Sequence, residues 1–473
     1  MRYRQANSSA AWRDAPAPAE PATYSLADLC GGAALQHFQP PGYFYEATLA
    51  SLEASQPTAP VMYEYEVSPS VSPSMAPSMA PSMAPSAGQF AAPPKPGALP
   101  TDFVAYMDMG EPTDAEPNAP GAGLVAAAAR ALLDDGASYI VHVGDLSYAR
   151  GYAAVWETWM DLIEPLSSRA PYMAGMGNHE CNWPTDAWRP EWSDMGEDSG
   201  GECCVPAVHR FRHMPAAPPA NALPARRASN RGGGNSPQVR LEAPPAALAP
   251  KSPRKAPRRK AAPPPANPPY WYSFERGGVH TFVLSTEHDW TAGSPQMAWL
   301  EADLAAVDRS RTPWLIGSGH RPAYTSYDTA RGVGTQTVSQ YLRPALEPAL
   351  RKHRVDVMLY GHIHAYERSC PLAEYVCVGA EDPESETVRL ANGTVHLTVG
   401  AGGHALTKQS TFKQQYWSAA HALQFGVGRL TALNATHARW RWYGVDQDSG
   451  TPTEADARWI VRDAGIGRNR APY

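Results

Sequence analysis

The sequence predicts an α/β protein of stacked sheets flanked by helices, and three observations predict it. Between residues 98 and 463 short apolar runs alternate with stretches of helical periodicity. Clusters that combine Asp, Asn or His with glycine fall just after several of those runs. Proline, 48 of 473 residues, gathers in segments that cannot pack, so the ordered part is smaller than the length suggests. Alternating strands and helices bury their apolar faces as stacked layers. Ligands in such folds collect at the carboxyl ends of strands.

Residues 1–21 are rich in Ala, Pro and Ser and are expected to be disordered. Within 22–97, residues 42–47 and Met62–Val67 alternate large with polar side chains, as half-buried strands do. Proline at every fourth position of the Pro-Ser-Met-Ala repeat in 69–86 forbids helix and sheet ladder alike, which makes it a spacer. Two or three strands are too few for a sandwich. This segment therefore reads as part of a β-domain whose beginning is missing.

The main domain spans 98–463, with 464–473 as a tail. Its first unit is a strand at 103–106, an Ala/Leu helix at 123–133 and a buried strand at 139–143. A helix at 156–162 and a strand at 172–174 follow. Residues 279–284 are a strand, and 295–307 an amphipathic helix with Met297, Leu300, Leu304 and Val307 on one face. Strand 314–316, helix 338–350, strand 355–359 and strands 394–399 and 438–443 complete it. His142 and His280 read as strand residues, and Trp271, Trp290 and Trp299 as core.

A basic insertion at 215–269 interrupts the pattern. It carries Arg226, Arg227, Arg231, Lys251, Arg254, Lys255, Arg258, Arg259 and Lys260 against one acid, Glu242. Such a stretch can attract nucleic acid or another polyanion, but a solvated, disordered insertion without a role is the expected reading. The formal net charge of −6 hides this asymmetry. No apolar run approaches the roughly 20 residues of a membrane span, so no membrane partner is expected. None of the six cysteines forms a CxxC knuckle. Cys370 with Cys377 is the best-spaced disulfide, and Cys181 with Cys203 or Cys204 the second candidate. Asn392, Asn434 and Asn7 open glycosylation sequons.

Asp108, Asp145, Asn178, His179, His320, His362 and His364 are hard or borderline ligands suited to iron, zinc or manganese. A carboxylate placed after the strand 139–143, as Asp145 is, can bridge two cations. Tyr148, three residues on, supplies a hard anion as phenolate and favours Fe³⁺. His362 and His364 at i and i+2 project to one side of an extended segment. Two metals about 3.5–4 Å apart lower the pKa of water and clamp a phosphoryl oxygen.

Five blocks resemble the purple acid phosphatase branch of the calcineurin-like metallophosphoesterases: Met107-Asp108-Met109-Gly110, Gly144-Asp145-Leu146-Ser147-Tyr148, Gly177-Asn178-His179-Glu180, Gly319-His320-Arg321-Pro322 and Gly361-His362-Ile363-His364. Ser285 to Trp290, Ser199 to Cys203 and Tyr366-Glu367-Arg368 are similar to the same family. The resemblance implies an αββα four-layer sandwich preceded by a partial fibronectin-III-like β-domain at 22–97. It implies Fe³⁺ on Asp108, Asp145, Tyr148 and His364. A divalent ion, Zn²⁺, Mn²⁺ or Fe²⁺, would sit on Asp145, Asn178, His320 and His362, with Asp145 as the bridge. Small phosphate monoesters would be hydrolysed by a metal-bound hydroxide at acidic pH, with His179 binding phosphate and protonating the leaving alkoxide.

The chain departs from that pattern in two places. Met107 stands where the family has glycine, and Thr329-Ala330 fall about where the plant high-molecular-weight enzymes carry adjacent histidines. Substrate contacts would then pass to Arg321, His288 or Tyr324. A phosphodiesterase or nucleotide pyrophosphatase using the same site, and a weakly active or non-catalytic phosphate-binding relative, are the alternatives. The resemblance further implies a secreted, cell-wall or vacuolar protein, here with a truncated N-terminus and no signal peptide. The oligomeric state is left open, a homodimer included.

Overall fold

The computed structural model describes residues 1–16, 21–56, 59–68, 86–112, 119–181, 198–215, 269–327 and 335–462. The apolar runs build two eight-stranded sheets. In one, Thr101–Ala105, Ile140–Val143 and Tyr172–Gly175 run parallel, and the antiparallel ladder Gly426–Ala432, His437–Val445 and Pro452–Val461 extends it. In the other, Val279–Val283, Trp314–Gly319, Val357–Tyr360 and Thr394–Val399 are parallel neighbours, with Tyr272–Arg276 and Tyr366–Ala373 antiparallel outside them. The central parallel strands are buried at every position, which is why they read as unbroken apolar runs.

The sheets pack face to face through Val141, Val143, Val283, Ile316, Leu359, Val395, Trp440 and Trp442. Helices Ala122–Asp134 and Ala153–Ser167 cover the outer face of the first sheet with Val125, Ala129, Trp156 and Ile163. Helices Pro295–Ala306 and Thr335–His353 cover the second with Leu300, Leu304, Leu342 and Leu346. This is the expected αββα sandwich. Helix Pro295–Ala306 starts where Ser294 accepts a hydrogen bond from the Met297 amide and proline occupies the first turn. Its buried face is Met297, Leu300 and Leu304, while Val307 falls at the C-cap. Trp271 and Trp290 are buried, and Trp299 packs partly buried against the core.

The N-terminal expectation needs correction. Arg2–Gln5 is not disordered: it pairs antiparallel with Met62–Val67, and that strand pairs with Ser86–Ala91. Arg2 and Arg4 reach Glu66 and Glu64 across the ladder and lie over Trp12. Composition cannot show this, because a four-residue strand is specified by its distant partner. Residues 42–47 make no strand; Phe44 forms only an isolated bridge to Ala22, and Tyr43 and Tyr45 are exposed. The repeat, nearly all of the 215–269 insertion, and the tail lie outside the described residues. Disulfides join Cys370 to Cys377, Cys181 to Cys204, and Cys30 to Cys203. The last of these was not expected.

Candidate metal centre

Every ligand residue read from the sequence lies just beyond a strand end. Asp108 follows Thr101–Ala105, Asp145 and Tyr148 follow Ile140–Val143, and Asn178 follows Tyr172–Gly175. His320 follows Trp314–Gly319, and His362 and His364 follow Val357–Tyr360. The central strands of both sheets thus deliver side chains to one rim of the sandwich. Asp108, Asp145, Tyr148 and His362 take left-handed backbone angles, φ 62°, 52°, 55° and 67°. Non-glycine residues hold that conformation at a cost and concentrate in functional turns.

Asp145, His320 and His362 bring ligand atoms within 4.8 Å of one another, and so do Asp108, Asp145 and His364. Asp145 belongs to both groups. On one side His320 Nε2 lies 2.9 Å and His362 Nδ1 2.8 Å from Asn178 Oδ1, with His320 Nε2 3.2 Å from Asp145 Oδ2. On the other, the Tyr148 hydroxyl lies 3.2 Å from Asp108 Oδ1 and 2.8 Å from His364 Nε2. Three imidazoles, two carboxylates, a phenol and an amide oxygen converge. That donor set fits two cations sharing one carboxylate.

The supporting contacts are equally specific. Fully buried Glu180 accepts backbone N–H bonds from Asp145 (2.8 Å), Leu146 (2.7 Å) and Gly177 (2.9 Å), so it ties two ligand loops together. Asp108 Oδ2 accepts the His362 amide at 2.7 Å, and Asp145 Oδ1 the His179 amide at 2.9 Å. A Cβ on Gly177 would lie 2.3 Å from Asp145 Oδ1, and one on Gly361 2.4 Å from Asp108 Oδ2, so only glycine admits the carboxylates there. Met107 does not crowd the turn. Its side chain is buried in the core between the sheets while its backbone pairs with Val399 and Gly402, and Asp108 still reaches the site.

Burial sets the charges, and neighbours modify them. Desolvation holds the Asp108 carboxyl well above the usual range, aided by nearby Asp145. Asp145 is also desolvated, but the imidazoles of His320 and His179 outweigh this and hold it well below. Burial works against charge on His320, yet Asp145 and Asp108 raise it to about 9. Tyr148 is pushed well above 10.0 by burial and then by Asp108 and Asp145. It is a phenol unless a cation compensates.

Of the residues expected to touch substrate, His179 is at the centre, its Nε2 3.9 Å from Asp145 Oδ2. Arg321 is there too, but occupied: Nε and Nη2 donate to Glu287 at 2.8 and 3.0 Å, and Nη1 lies 3.1 Å from His362 Nε2. His288 is buried against Ser285, Tyr270 and Trp271, none of which is a ligand residue. Burial pulls it down to about 4, so it is neutral. Tyr324 is not at the centre. It packs on Trp417 and His396 and donates to Glu347. The Thr329-Ala330 position lies outside the described residues.

Sequence reasoning passed over four residues here. Glu180 follows the ligand block Asn178-His179 and braces it without being a ligand. His404 stacks on the Tyr148 ring at 3.8 Å, with Arg150 Nη2 3.4 Å from its Nε2. Asp198 contacts Asn178 and His179. For His404 a signal existed, since the glycine-rich loop bearing it follows the strand Thr394–Val399.

Paired ligand groups sharing a carboxylate at the strand ends of an αββα sandwich are the build of a metallophosphoesterase. Residues 122–233 and 256–366 match the calcineurin-like phosphoesterase family, and 393–451 match the iron/zinc purple acid phosphatase-like protein C family. The chain is 35% identical over 58% of its length to probable inactive purple acid phosphatase 9 of Arabidopsis thaliana, of which it spans 35%. It is 30% identical over 73% of its length to a nucleotide pyrophosphatase/phosphodiesterase of Hordeum vulgare, of which it spans 80%. The solved structure of a purple acid phosphatase from yellow lupin (Lupinus luteus) seeds shares 26% identity and a TM-score of 0.71, across 98% of this chain and 69% of that one. The chain spans between 35% and 39% of the length of three Arabidopsis relatives named inactive. The chain belongs to the purple acid phosphatase family.

Proposed function

We propose that the protein is an acid phosphatase that hydrolyses small phosphate monoesters at a dinuclear centre of Fe³⁺ and Zn²⁺, Mn²⁺ or Fe²⁺. The observation that carries this reading is the convergence of Asp108, Tyr148 and His364 on one side of Asp145, and of Asn178, His320 and His362 on the other. The first set would hold the ferric ion and the second the divalent ion, with Asp145 common to both. Bound there, the cations would lower the pKa of water and offset charge developing on the phosphoryl oxygens. A hard trivalent ion suits the first set, because a buried phenol beside two carboxylates ionises only against strong positive charge. His179 donates Nδ1–H to the Asp198 carbonyl at 3.0 Å, which turns Nε2 to the centre; protonated there too, as the imidazolium, it would donate to the phosphate and to the leaving alkoxide. Arg321 braces His362 and carries positive charge to the rim. The three disulfides support an oxidising, secreted or vacuolar location.

The test is a visible absorption spectrum of the iron-loaded protein, wild type beside Tyr148→Phe. A tyrosinate-to-iron band present in the first and absent in the second is the expected result. Bound metal without a band refutes the ferric reading, and failure to bind metal refutes the dinuclear one. The name of the barley relative favours a second reading, hydrolysis of phosphodiesters or nucleotide pyrophosphates. Turnover of bis-p-nitrophenyl phosphate above that of p-nitrophenyl phosphate would select it. The Arabidopsis relatives named inactive favour a weakly active protein, against which stands the full donor set here.

A further inference from the structure

We infer that Asp198 is a positioning residue of this centre: its carboxylate sets which end of the Asn178 amide faces the imidazoles, and its carbonyl sets the tautomer of His179. Asp198 precedes the stretch Ser199 to Cys204, which belongs to neither ligand group. Its Oδ2 accepts from Asn178 Nδ2 at 3.2 Å, and its backbone oxygen lies 3.0 Å from His179 Nδ1.

The two ends of an amide are nearly equal in size and opposite in hydrogen-bonding character. Only with Oδ1 towards His320 Nε2 and His362 Nδ1, at 2.9 and 2.8 Å, can Asn178 serve a cation. A flipped amide would set its NH₂ where the cation belongs and its oxygen against the Asp198 carboxylate, a repulsion of two acceptors. The carboxylate cannot donate, so it selects the productive orientation. The carbonyl cannot donate either, so His179 Nδ1 carries the hydrogen and Nε2 is turned to the centre.

Asp198 stands on a fixed platform. Gly200 and Gly201 carbonyls accept from Ala34 (3.0 Å) and Cys30 (2.9 Å), and Glu202 accepts from the Gly151 amide and Trp156 Nε1, both at 3.0 Å. The Cys204 amide donates to the Glu180 carbonyl at 2.7 Å, and Cys204 is disulfide-bonded to Cys181, the residue after Glu180. Cys203 is bonded to Cys30. The platform is therefore locked to the end of the Asn178–His179 turn through Cys204, and to the 30–34 segment through Gly200, Gly201 and Cys203. This supplies a function for the Ser199 to Cys204 stretch that ligand chemistry alone does not.

The inference rests on the reading that Asn178 holds the divalent ion, and the experiment separates the two. Zn²⁺ affinity of the iron-loaded protein is measured by competition with a chromophoric chelator for wild type, Asp198→Ala and Asp198→Asn. Loss of an outer partner of a metal ligand costs about 10–100-fold in affinity, the loss expected for D198A. D198N can turn either its oxygen or its NH₂ to Asn178, so it no longer excludes the flipped amide and loses affinity as well, by less than D198A. The tyrosinate–iron absorption is unchanged in both variants, since Asp198 does not touch Asp108, Tyr148 or His364. D198A binding Zn²⁺ as tightly as wild type overturns the inference and leaves the dinuclear reading standing. D198N binding as tightly as wild type overturns it as well, because a group able to donate would then serve as well as one that cannot. Wild type that takes up no Zn²⁺ overturns both.

Discussion

Glu180→Gln is the substitution whose effect the structure defines most closely. The carboxylate is fully buried, and its recorded hydrogen bonds are all acceptances from backbone N–H groups: Asp145 and Gly177 on Oε2, Leu146 on Oε1. Burial, and then the Asp145 charge, push Glu180 up to about 8, while the Leu146 and Gly177 amides pull the other way. Glutamine in the same rotamer keeps one acceptor. With its oxygen at the Oε2 position it retains two bonds and sets NH₂ against the Leu146 amide; the reverse orientation loses two. The better choice leaves the Leu146 amide and the glutamine NH₂ both buried and unpaired, at about 1–3 kcal/mol each. Alanine leaves three unpaired, up to about 9 kcal/mol by the same figure, reduced where water enters the space. At no more than about 2–4 °C per kcal/mol, the figure for about 150–250 residues, E180Q should lower Tm by up to about 24 °C, and E180A by more. Thermal unfolding followed by circular dichroism, with p-nitrophenyl phosphate turnover on the same samples, measures both consequences. An E180Q protein with wild-type Tm and wild-type turnover would refute the claim that Glu180 ties the Asp145 and Asn178 loops together.

Gly177→Ala should cut kcat about 100-fold, because its Cβ would displace the shared carboxylate of Asp145 and misplacement of about 1 Å has that cost; unchanged kcat would show that the loop yields harmlessly. Removing metal with a chelator should lower Tm, since saturation at 100 times Kd adds about 2.7 kcal/mol; equal Tm before and after would contradict binding to the folded state. His280 is raised above 6.5, because Asp303 (2.9 Å) and Glu275 outweigh the opposing effect of burial. Its contribution to stability is present in full below pH 6.5 and fades as pH climbs through the raised pKa. Asp303→Asn should therefore destabilise more in acid than in alkali, and a constant difference in urea midpoint across pH would count against the pair.

The legible elements share one property: their burial is written in their own side chains. Ile140–Val143 and Val357–Tyr360 are buried throughout, and the helix Pro295–Ala306 carries its cap and its apolar stripe locally. The unread strands Tyr366–Ala373, Gly426–Ala432 and Pro452–Val461 contain charged residues that look like surface. Arg368 is fully buried because Asp456 and Glu381 meet its guanidinium, at 2.7 Å in the first case, and Arg429 is nearly so because Asp102 and Asp135 meet it. Partners 88 and 327 residues away cancel a penalty that the local sequence alone would predict. The disulfides divide the same way: Cys370–Cys377 closes a short loop and was visible, whereas Cys30–Cys203 spans 173 residues.

For the centre itself, the sequence alone determined which residue types can ligate and that they stand at strand ends, because strand periodicity and ligand chemistry are both local. Tertiary structure decided how they divide about Asp145, which way the Asn178 amide faces, and that Glu180, Asp198 and His404 hold the ligands in place. Those are relations between loops up to 254 residues apart, as between Asp108 and His362. A hydrogen bond exists only once packing has brought both of its ends within about 3 Å.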